Sequence, residues 1–329
     1  MKIFFKSHII SILFAFLLIL GHSITFSSCV SRSAAQAEEY FTIGMAFFEL
    51  GRFNDAETWL NRAQAADRTM VASEYNLGRI AYETGRYADA SRLFERVLAQ
   101  DPDNIMAMRA AAYSRIRNGD FDIAIDIYNR VLDLIPESAD DGFNYALVLY
   151  ALERFEDSEE VLNRYPFALE ENPPSRLLLA RTQKALGKPE AIDNFDKWVI
   201  INERPNPNGL FDYAKALEDA GMYARALEQL DASLEVLQQD TLTLKRSTIM
   251  FEKARILLTV DPENLEGMED FNAAITSGFS DVEAIEELLE DTRLVLANRE
   301  LIQSALDTIK ERIRLEEEED EDDEDTEEE

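Results

Sequence analysis

The string GRFNDA at Gly51 returns as GRYADA at Gly85, GDFDIA at Gly119 and GMYARA at Gly221. Every return lies a multiple of 34 residues from the first. A fixed period of this length means one supersecondary unit used repeatedly, each too small to bury its apolar face without its neighbours. The chain of 329 residues is thereby constrained to a stacked array before any other property is considered.

With position 1 at Ala37, the first unit carries Ile43 and Gly44 at positions 7 and 8, Gly51 at 15, Phe53 at 17, Ala56 at 20 and Leu60 at 24. The second places Leu77, Gly78, Gly85, Tyr87, Ala90 and Phe94 at the same positions, and the third Ala111, Ala112, Gly119, Phe121, Ala124 and Tyr128. Gly at 15 suits the left-handed residue that ends a first helix, helix A. The aromatic at 17 fills the wedge between two helices, and Ala at 20 lets helix B cross closely. Pro102 and Pro136 stop helix B, because Pro disfavours helix in the residue before it. These positions resemble the tetratricopeptide repeat, a helix–turn–helix of 34 residues. The resemblance implies an all-α solenoid, a right-handed superhelix of paired helices. A single non-repetitive helical domain does not account for six units in one register.

The units run 37–70, 71–104, 105–138, 139–172, 173–206 and 207–240. The fourth has Glu153 for Gly and Ser158 for Ala; the fifth has Pro189 in place of the wedge aromatic, which puts its packing in question. The sixth recovers with Tyr213, Ala214, Gly221, Tyr223 and Ala226. The breaker-rich segment 202–209 reads as a flexible joint. Residues 241–314 read as a degenerate repeat and capping helices, over 244–258, 264–277 and 298–314, with Asp281 capping a short helix between them. Residues 315–329 are almost wholly acidic and read as a disordered tail, either solubilising or able to compete for a basic groove or bind Ca²⁺ diffusely.

The N-terminus reads as an export signal, residues 1–28: Lys2 and Lys6 precede the apolar run Ile9–Gly21, which is too short for a comfortable bilayer span. FSSC at 26–29 resembles the lipobox of bacterial lipoproteins in the relaxed form familiar in spirochaetes, although Phe26 departs from the usual Leu-like residue. That resemblance implies lipid attachment at Cys29, a short linker over 29–36, and a lipoprotein held by its acyl chains in the cell envelope, on the periplasmic face or outer surface. Ala35–Ala37 is a competing cleavage site of the ordinary small-x-small kind.

His8 and His22 are the only histidines and Cys29 the only cysteine. An exported mature chain then lacks the parts for Ser-His-Asp or Cys-His catalysis and for His/Cys zinc sites. No catalytic residue, metal site or cofactor is expected. Net charge is −32, which disfavours nucleic acid and anionic membrane surfaces.

In the tetratricopeptide family, helix A positions 2, 5, 9, 12 and 13 usually face a concave groove. Here they give Phe41, Met45 and Phe48; Tyr75, Arg79 and Tyr82; Arg109, Tyr113 and Arg117; Phe143 and Tyr150; Arg181 and Lys184; Phe211 and Lys215. An Arg and Tyr stripe in so acidic a chain suits a peptide groove, for an acidic segment or a C-terminal carboxylate. The competing reading is that these aromatics pack between neighbouring repeats. The family's two-carboxylate clamp is not supported, because Met106, Ala110, Pro174 and Leu178 stand where its cations belong. The expected function is a membrane-anchored, non-catalytic scaffold for protein–protein contacts in the cell envelope. The alternative is a component of a periplasmic solute-transport system, binding ligand itself or partnering a TRAP-type solute-binding protein.

Overall fold

A computed structural model describes residues 32–241 and 243–327. Cys29 and the expected leader lie outside the described residues. Seventeen helices and no strand are present among the described residues. The chain divides into two compact units, one ending at Leu152 and the other starting at Glu153.

The first unit holds α1 (32–49), α2 (Phe53–Ala66), α3 (Val71–Glu83), α4 (Tyr87–Gln100), α5 (Ile105–Asn118), α6 (Phe121–Leu134) and α7 (Ala139–Ala151). The second holds α8 (Phe155–Asn163), α9 (Pro166–Glu171), α10 (Pro173–Ala185), α11 (Glu190–Ile201), α12 (Pro207–Asp219), α13 (Tyr223–Val236), α14 (Arg246–Val260), α15 (Leu265–Thr276), α16 (Val282–Glu290) and α17 (Leu296–Glu327).

The turn chemistry repeats with the period. Gly51, Gly85, Gly119, Gly187 and Gly221 all have φ between 65° and 85°, the left-handed region. After them the amides of Arg52, Arg86, Asp120, Lys188 and Met222 donate back to Phe47, Ala81, Arg115, Gln183 and Leu217, the six-to-one bond of a Schellman cap. Glu153 stands at the same step and takes φ 59° without being Gly. The other helix ends follow a second 34-residue series. Asn104, Ser138, Asn172 and Asn206 each accept a backbone N–H of the first turn, as N-caps of α5, α7, α10 and α12.

Small residues set how closely helices approach. Ala56, Ala90, Ala124 and Ala226 are fully buried, and so is Ser158, which replaces Ala in its unit. A Cβ on Gly78 would lie 2.7 Å from the Phe94 ring, so the ring from α4 packs directly on the α3 backbone. In the second unit Phe195 stacks on Tyr213 at 5.1 Å, and Trp198 lies against the backbone of Gly209.

Three expectations are corrected. Residues 32–36, read as linker, open α1, because Ala34, Ala35, Gln36 and Ala37 are strong helix formers. The joint expected at 202–209 is tied down: Asn206 caps α12, Ser233 donates to the Pro207 carbonyl at 3.0 Å, and Asn208 donates to Thr243 Oγ1 at 3.2 Å. Helix α9 was not foreseen; Pro166 opens it and Asn172 both ends it and caps α10. The last helix, α17, opens at Leu296 and extends past 314 into the acidic run. Arg314 bridges Glu311 and Glu318, and Arg312 faces Glu316, so i,i+3 and i,i+4 pairs carry the helix into the acidic run.

Candidate functional site

Helices α1, α3, α5 and α7 supply the helix A face of the first unit. Phe48 reaches from α1 to Phe53 edge-on at 5.6 Å, and the Arg79 guanidinium lies 4.4 Å over its ring. Arg79 also donates to Asn76 Oδ1 at 3.0 Å, while Asn76 itself is held by the Ala72 carbonyl at 2.8 Å. Tyr82 meets Tyr87 edge-on at 5.4 Å, and Arg117 lies 4.6 Å over that same Tyr87 ring. Neither Arg79 nor Arg117 lies within ion-pair distance of a carboxylate among the described residues.

The remaining cations of the stripe are neutralised, with one exception. Arg109 grips Asp141 through both carboxylate oxygens, at 2.7 and 2.5 Å. In the second unit Arg181 pairs with Asp212 at 2.6 Å, and Lys215 with Glu218 at 3.0 Å. Arg255 of α14, the next helix A, closes that cluster by joining Glu218 and Glu252. Lys184 has no such partner among the described residues, and lines a separate cavity beside Lys188. The tetrad of Lys215, Glu218, Glu252 and Arg255 crosslinks α12 and α14 rather than presenting free charge.

Between α3, α4 and α5 lies a cavity of about 250 Å³. Tyr82, Phe94, Ala110 and Tyr113 wall it, and Arg79 and Glu83 stand at its rim. Tyr113 is 41% exposed, and its hydroxyl faces that of Tyr128 beneath it. The Tyr128 oxygen is buried without a well-formed hydrogen bond, and burial pushes this phenol far above its usual range. Burial also raises Tyr113, opposed by its contact with Tyr128. Both phenols are therefore neutral donors at any physiological pH. Asp141 sits in the same field. Burial alone would raise its carboxyl, but hydrogen bonds from Arg109 and Ser138 hold it below the usual carboxylate range.

The structure brings Phe48, Arg79, Tyr82, Tyr113 and Arg117 into one patch with Tyr87 and Phe94. Phe41, Tyr75 and Tyr82 also pack against the buried clusters of neighbouring helices, so they serve the packing role as well. Tyr75 lies 5.4 Å from Phe94, forming part of the cavity's backing. Phe143 and Tyr150 are half-buried on α7, and Arg181 and Lys184 belong to the second unit. Phe94 and Ala110 were missed as lining residues. Phe94 holds a core position, and Ala110 was read only as a missing clamp cation; its small size is what opens the cavity.

Family models described as tetratricopeptide repeat match residues 37–70, 75–139 and 109–175. Among solved structures, a tetratricopeptide repeat protein from Parabacteroides merdae ATCC 43184 is 21% identical with a TM-score of 0.57, covering 78% of this chain and 98% of that one. YrrB, described as a TPR protein with an unusual peptide-binding site, is 16% identical with a TM-score of 0.50, covering 59% and 96%. PilW, described as a widely conserved type IV pilus biogenesis factor, is 18% identical with a TM-score of 0.50, covering 60% and 91%. Comparison with curated proteins found no match. At these identities the likeness shows the fold. Residues 37–70 and 75–175 are thus recognised as tetratricopeptide repeats, and the chain has the all-α solenoid fold of that repeat class.

Proposed function

We propose that this chain is a non-catalytic scaffold that holds a protein partner by an acidic segment laid across the helix A face of residues 32–152. An apolar side chain of the segment enters the cavity walled by Tyr82, Phe94 and Tyr113, and its carboxylates meet Arg79 and Arg117. One observation carries this reading: in a chain of net charge −32, these two guanidiniums rest on aromatic rings with no carboxylate partner among the described residues. Stacking leaves N–H groups at the edge of each guanidinium, beyond the one that Arg79 gives to Asn76, to donate to an incoming carboxylate. Tetratricopeptide-repeat proteins are in general interaction scaffolds, and YrrB is described as having a peptide-binding site, which agrees with the reading.

The N-terminal sequence supports export and attachment to the cell envelope through lipid on Cys29. No helix among the described residues is long and apolar enough to cross a membrane. Affinity capture from membrane extract tests the scaffold. Wild type should retain a partner that the Arg79→Ala/Arg117→Ala variant loses, and equal capture by both would remove the groove from the account. Palmitate labelling that disappears in Cys29→Ala tests the anchor; an unlabelled wild type refutes it.

A further inference from the structure

Position 17 carries Phe53, Tyr87, Phe121, Phe155 and Tyr223 in five units, and Pro189 in the fifth in sequence. Where an aromatic is present it wedges against its own helix A, as Phe53 does on Phe48 and Tyr87 on Tyr82. Pro189 is smaller than those rings, and a cavity of about 260 Å³ lies there between α10, α11 and α12; the Phe53 turn also borders a cavity, of about 350 Å³, but that one is lined mainly by the polar Arg52, Asn54, Asp55 and Thr84. Its walls are Pro189, Ala191, Ile192, Ala216 and Ala220, mostly small and apolar. A cavity of about 150 Å³ is already enough to hold benzene. The rim carries Lys184 and Lys188 against the single carboxylate of Asp219. Lys188 is engaged by Glu159 at 2.5 Å; Lys184 has no carboxylate within ion-pair distance among the described residues.

The same unit bears the matching shape. Helix α9 is the element that the other repeats lack, and its Phe167 is 79% exposed. Glu170 and Glu171 follow one turn later, both exposed. An aromatic beside two carboxylates complements an aromatic-sized slot beside an unpaired ammonium in shape and in charge. The two cannot meet within one molecule. Helix α9 abuts the start of α10 and the slot lies past its end, and the 13 residues of α10 separate them by roughly 20 Å.

We propose that Phe167 of one copy inserts into the Pro189 slot of a second copy, with Glu170 and Glu171 turned toward Lys184. Knob and slot lie at opposite ends of one helix, so the contact is head-to-tail and each copy keeps one free knob and one free slot. The assembly therefore grows with concentration instead of stopping at a symmetric dimer.

Sedimentation of the full chain at moderate ionic strength, over a range of concentrations, tests this. The wild-type average mass should rise with concentration. Phe167→Ala, which removes the knob, and Pro189→Phe, which fills the slot from within, should each weaken association by at least about tenfold. Mixed in equal amounts, these two variants should give a one-to-one pair and nothing larger, since one retains only the slot and the other only the knob. Association through the apolar N-terminus would be common to all the chains and would not respond to mixing. Lys184→Glu should also block association, with rescue by Glu170→Lys/Glu171→Lys in the partner copy; this arm leaves the Pro189 turn untouched. A wild type that sediments as Phe167→Ala does at every concentration overturns the proposal. So does a mixture that forms no pair.

Discussion

Arg109 of α5 holds Asp141 of α7 through both carboxylate oxygens, and the Asp141 side chain is 1% exposed. Ser138, the N-cap of α7, donates to the same carboxylate at 2.6 Å. The contact joins the third repeat to the fourth at one cap. It also takes Arg109 out of the pool of free cations in the stripe. Arg109→Ala would strand a buried carboxylate, and since the guanidinium itself is 39% exposed the loss should be about 2–3 kcal/mol. Arg109→Ala/Asp141→Leu should recover part of it. Urea unfolding of the three proteins checks this, and equal stability of Arg109→Ala and wild type would show the pair to be inert.

Acid should act through the same carboxylate. Asp141 is held below its unfolded value, so its stabilisation is complete above the unfolded carboxyl range near pH 4 and is lost as pH falls through the lower, folded value. The stability gap between wild type and Asp141→Asn should be widest at pH 7 and shrink below about pH 4. Comparing the two at each pH cancels the change in overall repulsion of this acidic chain. A gap that widened in acid would contradict the assignment.

Glu153 takes the left-handed conformation that Gly takes at five equivalent turns. For a residue with a Cβ this conformation costs about 1 kcal/mol. Glu153→Gly should therefore stabilise the chain by up to about 1 kcal/mol, since the unfolded chain's gain in freedom offsets part of the relief. A thermal melt measures it. A lower melting temperature would show that the Glu153 side chain has a role the backbone does not reveal.

Gly78 has no room for a methyl group against Phe94. Gly78→Ala should destabilise by about 1–3 kcal/mol by forcing α3 and α4 apart. Because Phe94 also walls the Tyr82–Tyr113 cavity, peptide binding should weaken in the same variant. Unaltered stability would mean that the helices slide without loss.

The period made the fold legible. Gly51, Phe53 and Ala56 returned often enough to set helix ends, wedges and crossings in one register, and the structure keeps that register to Val236. A second series, Asn104, Ser138, Asn172 and Asn206, carries the N-caps at the same spacing and was readable but unread. The stripe was half legible. Helical spacing placed Arg79, Tyr82, Arg109, Tyr113 and Arg117 on one set of helices. It could not show that Arg109 and Arg181 are spent on Asp141 and Asp212, which lie 32 and 31 residues away. Such pairs depend on which carboxylate a neighbouring repeat brings near, and in a chain with 65 acidic residues nearly every arginine has a candidate. The cavity was hidden for a related reason: it arises from the smallness of Ala110, and an absent side chain leaves no mark in a pattern of large ones. Helix α9 interrupts the period at a Pro and had no counterpart to predict it.

Arg79 and Arg117 are proposed to flank a site for an acidic segment with an apolar anchor. Selection of displayed peptides on the wild-type chain, counter-selected against Arg79→Ala/Arg117→Ala, tests it most directly. Enriched peptides should combine Asp or Glu with a large apolar side chain, bind about tenfold or more weaker to the double variant, and weaken further as salt rises. Peptides enriched equally on both proteins, or enriched without acidic residues, would contradict it.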